Sequence, residues 1–299
     1  MAGSANPVAL KNLPQMHAGG KPHGWISSPS VFICALSRLW QKFSARHFGA
    51  LIVVLISTCA VCAPLITAYD PLAQNLSARL QPPSSQFFFG SDALGRDVLS
   101  RALFGARASL LIASAATLLA FCLGVSLGLV AGFVGGRIDA LLSRLADIQQ
   151  AIPYLILAIA VVAVLGSNML NLIVVLGLTS WLTFFRVTRA QTLSLRTQEF
   201  VIAADASGAS PIRIIMRHIL PNVWSSLRVL LTVIAANIIL FEAALGFLGL
   251  GVPPPQPSWG SLIADGRDYL ADAWWITVMP GAVLLLLGLG LNWMSDEEG

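Results

Sequence analysis

The stretch that most constrains this chain runs from Ile148 to Phe185, 38 consecutive residues without Asp, Glu, Lys or Arg. A second run, Ala108–Gly136, goes 29 residues without one. About 20 apolar residues in helical form cross a ~30 Å hydrocarbon core, whereas a strand of a membrane barrel needs only about 10. Inside lipid every backbone polar group must be satisfied within the chain, so runs this long fold as helices. The expected fold class is therefore all-α, a polytopic membrane protein. Composition agrees: 56% of residues are hydrophobic and 11% charged, and mean hydropathy is +0.77. Soluble domains carry roughly 25% charged residues.

Gly166-Ser167-Asn168 interrupts the longer run, and six spans result: Phe48–Tyr69, Ala108–Gly136, Ile148–Gly166, Met169–Phe185, Val223–Leu250 and Trp274–Ser295. Six transmembrane helices put both termini on one side. Twelve Lys and Arg then fall on that side, Lys11 and Arg38 through Arg213 and Arg217. Five fall on the other: Arg79, Arg96, Arg101, Arg107 and Arg267. The positive-inside rule makes the first side, with both termini, cytoplasmic. The net charge of +4 sits at the edges of apolar runs, where it orients helices, and does not point to nucleic acid.

The domain layout follows. Residues 1–37 read as a disordered cytoplasmic tail, polar and without a signal-peptide pattern. Residues 38–70 hold the first span and its basic lead-in of Arg38, Lys42 and Arg46. Residues 71–107 form an outer loop. Its last part, Asp97–Arg107, has an apolar side of Val98, Leu99, Ala102, Leu103 and Ala106 and a polar side of Asp97, Ser100 and Arg101. That pattern fits an amphipathic surface helix or an extension of the next span. Residues 108–295 are the core, with a cytoplasmic loop at 197–222, and 296–299 are a short acidic tail.

Within the second span Gly124, Gly128, Gly132 and Gly136 recur every fourth residue, a stripe that lets a neighbouring helix approach closely. Pro153 marks the first turns of the third span or a kink. Cys59 and Cys62 have a C-x-x-C spacing but lie within a span with no His nearby, so they read as packing, and no metal site is expected. Glu242, two turns from the outer end of the fifth span, is the costliest single residue to bury. It either faces a pathway or hydrogen-bonds locally. Asn237 and Thr183 are further pathway candidates, with Asn168 and Asn171, and polar packing between helices explains all four equally well. In the last outer loop Asp265, Arg267, Asp268 and Asp272 suit a solvated surface better than a partner contact.

The cytoplasmic interval Phe200–Asn222 has a different character. Glu199–Ser207 is Ala-rich and helical by propensity. Gly208 can stop that helix in the left-handed conformation, and Ser210-Pro211 restarts one as N-cap and first helical residue. Glu199, Ile202, Ala203 and Ala206 share a face of mostly small side chains, while Arg213 and Arg217 share another, open to lipid headgroups or a partner. Such a surface suits a groove in another protein; an ordinary interhelical loop is the alternative.

Ala203-Ala204, Gly208 and Leu220-Pro221 resemble the EAA loop of permease subunits in binding-protein-dependent ABC importers. That motif is Glu-Ala-Ala, three residues, Gly, nine residues, Ile, one residue, Leu and Pro. Ile202 stands where the Glu is expected and His218 where the Ile is. Gly90-Ser91-Asp92, Leu94-Gly95-Arg96-Asp97 and Gly105-Ala106-Arg107 resemble the dipeptide, oligopeptide and nickel permeases. So do Glu242–Gly251 and Pro257-Ser258-Trp259-Gly260. The likeness, to the "C"-type permease, covers about residues 38–294, but that type's basic tail is replaced here by Asp296-Glu297-Glu298-Gly299.

The resemblance implies a type I ABC importer permease fold in a bacterial inner membrane. It implies a second homologous permease, two cytoplasmic ATP-binding subunits and a periplasmic or lipid-anchored substrate-binding protein as partners. ATP and Mg would be used by the ATPases; this chain binds no cofactor and has no G-x-x-x-x-G-K-[ST]. Glu199, Ile202, Ala203, Ala204, Gly208, Ser210, Arg213, Arg217, Leu220 and Pro221 would couple it to them. Peptides are the expected cargo, with nickel or another small solute as the alternative. An ion-coupled carrier is a weaker reading, since no internal repeat or midplane ionisable group is evident. An intramembrane hydrolase is weaker still, since all four His lie outside the spans.

Overall fold

A computed structural model describes residues 45–295. The tail 1–37, Arg38, Lys42 and the acidic residues 296–299 lie outside the described residues. Everything regular between 45 and 295 is helical. Helix α1 is Ala45–Val61, α2 Val98–Val134, α3 Gly136–Gln150, α4 Tyr154–Leu165 and α5 Met169–Arg196. Helix α6 is Glu199–Ala206, α7 Pro211–Phe247, α8 Trp259–Gly266 and α9 Trp275–Ser295. Among the described residues α2, α5, α7 and α9 are each long and apolar enough to cross a membrane, and α3 with α4 makes a fifth span if the bent pair is taken as one.

Several boundaries differ from the expected spans, each for a local reason. Helix α1 stops at Val61 rather than Tyr69. Pro64 has no N–H to offer the Ala60 carbonyl, and its ring crowds the preceding turn; a separate turn, Ala63–Ile66, follows. No separate surface helix precedes the second span. Asp97 caps one continuous 37-residue helix, accepting the Ser100 N–H at 2.8 Å and the Ser100 hydroxyl at 2.6 Å. The polar side of that first turn is buried, with Arg101 at 4% and Ser100 at 1% exposure.

The third span departs furthest from its expected form. The charged segment after Gly135 is itself the helix α3, and the chain then bends by 86° into α4. Pro153, at the N-cap of α4, explains the bend, because the residue before a proline is pushed out of the helical region. At 12 residues α4 is about 18 Å long, well short of the hydrocarbon thickness. Asn168 and Asn171 tie the turn after α4. Asn168 Oδ1 accepts the Asn171 N–H at 2.8 Å, and Asn171 Nδ2 donates to the carbonyls of Leu165 and Gly166 at 2.8 and 2.9 Å.

The centre of the bundle is the contact of α2 with α5. A Cβ added at Gly124 would stand 2.5 Å from Phe184 Cβ, at Gly128 2.7 Å from Thr188 Cβ, and at Gly132 2.6 Å from Thr192 Cβ. Three turns of α2 therefore touch α5 backbone to backbone. Gly136 is not part of this stripe: it lies past the end of α2 with φ +58° and has open space around it. Helix α1 rests on α9 in the same manner, Gly49 against Gly290 and the Phe48 ring 5.6 Å from that of Trp293. Leu51, Val54 and Leu55 on its far side are exposed, as lipid-facing residues are.

Gly128→Ala should lower the thermal stability of the detergent-purified protein by about 1–3 kcal/mol, the cost of one methyl forced into a filled contact. Gly281→Ala, where nothing lies within 4 Å, should stay within about 0.5 kcal/mol. Equal melting midpoints for the two variants would contradict the α2–α5 contact.

Candidate functional site

Three constellations stand out, and the first is the turn between α6 and α7. Helix α6 ends in a complete Schellman closure: the Gly208 N–H donates to the Asp205 carbonyl at 2.9 Å and the Ala209 N–H to the Ala204 carbonyl at 3.1 Å. Gly208 has φ +78°, a conformation in which a side chain is strained. Ser210 is extended at the N-cap of α7 and Pro211 is its first residue, but the Ser210 hydroxyl makes no capping bond.

Val201, Ile214 and Ile219 anchor the turn in the core. Outward it presents Ile202, Ala203, Ala206 and Glu199, with Phe200, Ile212 and Met216 exposed around them. Ala204 and Leu220 are half-buried, while Arg213, Arg217 and Pro221 are exposed. Phe200, Ile212 and Met216 carry no motif of their own; their exposure is a tertiary fact. The first turns of α7 widen to a π segment, Ile215–Ile219. Pro221 accounts for it, since it offers no N–H to the Arg217 carbonyl and the Leu220 N–H reaches Ile215 instead.

The second constellation is a cavity of about 380 Å³ where α3, α4, α5 and α7 meet. Thr183 and Asn237 both line it, together with Gln150, Tyr154, Ser180 and Arg186. The Tyr154 hydroxyl is 3.1 Å from Ser180 Oγ, and its ring packs against that of Phe241, tilted by 33° with centroids 4.1 Å apart. Arg186 Nη2 donates to Asp147 Oδ1 on α3 at 2.9 Å. In sequence Tyr154 and Phe241 look like core aromatics and Arg186 like an interface charge. The helical spacing of Thr179, Thr183 and Arg186 is a signal that could have placed Arg186 beside Thr183.

Glu242 does not reach this cavity. It is fully buried where α2, α7 and α8 cross, with the Ser109 and Ser258 hydroxyls beside it. The backbones are close there: Gly260 abuts Ala243 and Gly246, and Gly105 abuts Ser258. The Trp259 indole, fully buried, donates to the Ala102 carbonyl at 3.1 Å.

The third constellation lies at the N-terminal end of α2. Asp92 is its hub, accepting from the backbone N–H groups of Leu94 and Arg96 at 2.8 and 2.9 Å and from the guanidinium groups of Arg96 and Arg101 at 2.6 Å each. Arg101 also reaches Asp265 on α8 at 3.2 Å. Gly90 and Gly95, both with positive φ, fold this loop back on itself, and the Trp275 indole donates to the Ser91 carbonyl at 3.1 Å. Asp265 thus belongs to a structural cluster, whereas Arg267 and Asp268 pair with each other in the open.

The described residues thus form a bundle of apolar helices with a turn of exposed side chains between α6 and α7 and a cavity lined by polar side chains between α3, α4, α5 and α7. The family model described as "Binding-protein-dependent transport system inner membrane component" matches residues 124–296. That for the N-terminal TM domain of oligopeptide transport permease C matches residues 37–83. The di/tripeptide transport system permease protein DppC of Pseudomonas aeruginosa is 40% identical over 280 residues, covering 90% of this chain and 92% of that one. The oligopeptide transport system permease protein OppC of Bacillus subtilis is 38% identical over 248 residues, covering 83% of this chain and 81% of that one. An inward-facing structure of the MetNI methionine ABC transporter superposes with TM-score 0.55 at 18% identity, over 64% of this chain and 91% of that one, and shows the shared fold. The chain belongs to the family of binding-protein-dependent transport system inner membrane components, as a "C"-type permease of its peptide and nickel branch.

Asp92→Asn would leave Arg96 and the buried Arg101 without their shared counter-charge. It should destabilise the protein by about 3–5 kcal/mol, read as loss of folded protein in detergent. Asp268→Ala, in the open, should leave stability within about 0.5 kcal/mol.

Proposed function

We propose that this chain is one of two permease subunits of an ATP-driven importer of di- and oligopeptides in the bacterial inner membrane. Relatives bearing peptide names along nearly the whole length favour peptides over nickel. The chain crosses the membrane six times, by α1, α2, the broken pair α3–α4, α5, α7 and α9. Both termini are cytoplasmic, in keeping with the distribution of Lys and Arg. A second homologous permease completes the pathway, and a periplasmic or lipid-anchored protein delivers the peptide. Two cytoplasmic subunits bind and hydrolyse ATP with Mg; this chain is not catalytic.

The observation that carries this reading is the continuity of α7. It begins at the docking turn and runs 37 residues, and 26 residues on from Pro211, about 40 Å away, it places Asn237 in the wall of the cavity. Helix α6, with Ile202, Ala203 and Ala204, seats in a groove of an ATPase; Gly208 sets the angle at which α7 leaves, and Arg213, Arg217, Leu220 and Pro221 line the first turns of the lever. When the ATPases close, displacement of α6 moves Asn237 and Phe241 against α4 and α5. An exposed amide in a span is costly against lipid, so Asn237 and Thr183 belong to the aqueous pathway.

Gly208→Val forces a β-branched residue to positive φ, a strain of about 1–3 kcal/mol. In proteoliposomes the assembled complex should then lose peptide transport at least tenfold while ATP hydrolysis continues. Gly208→Asn, which tolerates that conformation, should keep most of it. Normal transport by Gly208→Val would refute the docking role of this turn.

A further inference from the structure

Two arginines of α5, one turn apart, meet carboxylates of α3, and they do so in different ways. Arg189 engages Asp139 through two nitrogens, Nε to Oδ1 and Nη2 to Oδ2 at 2.7 Å, with the side chains 32% and 18% exposed. That fork-to-fork pair fastens α3 to α5. Arg186 engages Asp147 by Nη2, with side chains 45% and 62% exposed. A second, looser pair adds little to a joint already made, since exposed ion pairs contribute at most about 1 kcal/mol.

Arg186 differs from Arg189 also in what it faces. It lines the cavity with Gln150, Thr183 and Asn237, and it is the one charged side chain among the lining residues. Asp147 is not among them. The cavity therefore offers a single guanidinium, planar and able to grip a carboxylate through two N–H groups. Beside it stand two carboxamides and a hydroxyl suited to peptide bonds, and the packed rings of Tyr154 and Phe241 give an apolar surface for a side chain.

We propose that Arg186 binds the C-terminal carboxylate of a short peptide in transit, displacing Asp147, which holds the guanidinium in place when the pathway is empty. This rests on the peptide-import reading above. Exchange of one carboxylate for another keeps the charge balance of the site, so the peptide can enter and leave without leaving the guanidinium unpaired. A cation at the cytoplasmic end of a span has another possible source of anion, the phosphate of a lipid headgroup, and the two are separable by experiment.

The complex, reconstituted in proteoliposomes with its binding protein saturated by either a tripeptide or the C-terminal amide of the same tripeptide, provides the test. The readout is peptide translocated per ATP hydrolysed. The wild type should carry the free acid about tenfold better than the amide, an effect of one charge-assisted contact. Arg186→Gln should bring that ratio close to one by losing transport of the acid, and Arg186→Lys should fall between. Equal losses for acid and amide in Arg186→Gln, which headgroup anchoring would produce, overturn the proposal. So does a wild-type ratio near one, or a ratio unchanged in the variant. If the wild type hydrolyses ATP but carries neither peptide, the peptide-import reading itself fails.

Discussion

The contact that the rest of this molecule depends on is the bare stripe of Gly124, Gly128 and Gly132 against Phe184, Thr188 and Thr192. Between spans there is no water to expel, so association rests on van der Waals contact and on how closely two backbones can approach. Glycine at three successive turns brings the last third of α2 onto the C-terminal half of α5. With α5 fixed, its other faces acquire their roles. Arg189 holds α3 through Asp139, Thr183 and Arg186 open into the cavity, and α7 packs where Gln191 donates to Ser226 Oγ at 2.6 Å.

The two ends of the bundle are built on different physics. At the start of α2 the structure relies on charge: Asp92 gathers two guanidinium groups, one of them almost wholly buried, and Asp265 brings in α8. Below it the small residues Gly105, Gly246 and Gly260 let three backbones converge around Glu242. At the opposite end the turn between α6 and α7 is held by backbone hydrogen bonds and three buried apolar anchors, and most of its side chains are exposed.

The form of the turn between α6 and α7 was largely legible from residue types because its determinants are local. A left-handed glycine closes α6 and a Ser-Pro pair opens α7, and neither needs a distant partner. The polar cavity was less so. Thr183 and Asn237 are 54 residues apart, and nothing in either neighbourhood requires that they share a wall. Tyr154 and Phe241 have the sequence signature of ordinary core residues. Arg186 has that of an orienting charge, and only the geometry of α3 separates it from Arg189. Glu242, the most conspicuous residue by cost, turned out to lie in a packed junction away from the cavity.

What the sequence by itself determined was the solvent and the elements. Runs of uncharged residues longer than a bilayer is thick admit only helices, and the glycine stripe, the prolines and the caps mark where those helices touch, bend and stop. Only the tertiary structure decided that α3 and α4 meet at a sharp bend, that the first turn of α2 is buried by ion pairs rather than laid on a surface, and which polar side chains converge. The reason is physical. Secondary structure in lipid follows from satisfying each backbone group within its own segment. The face a helix shows, and the company its polar residues keep, depend on contacts between segments that lie far apart in the chain.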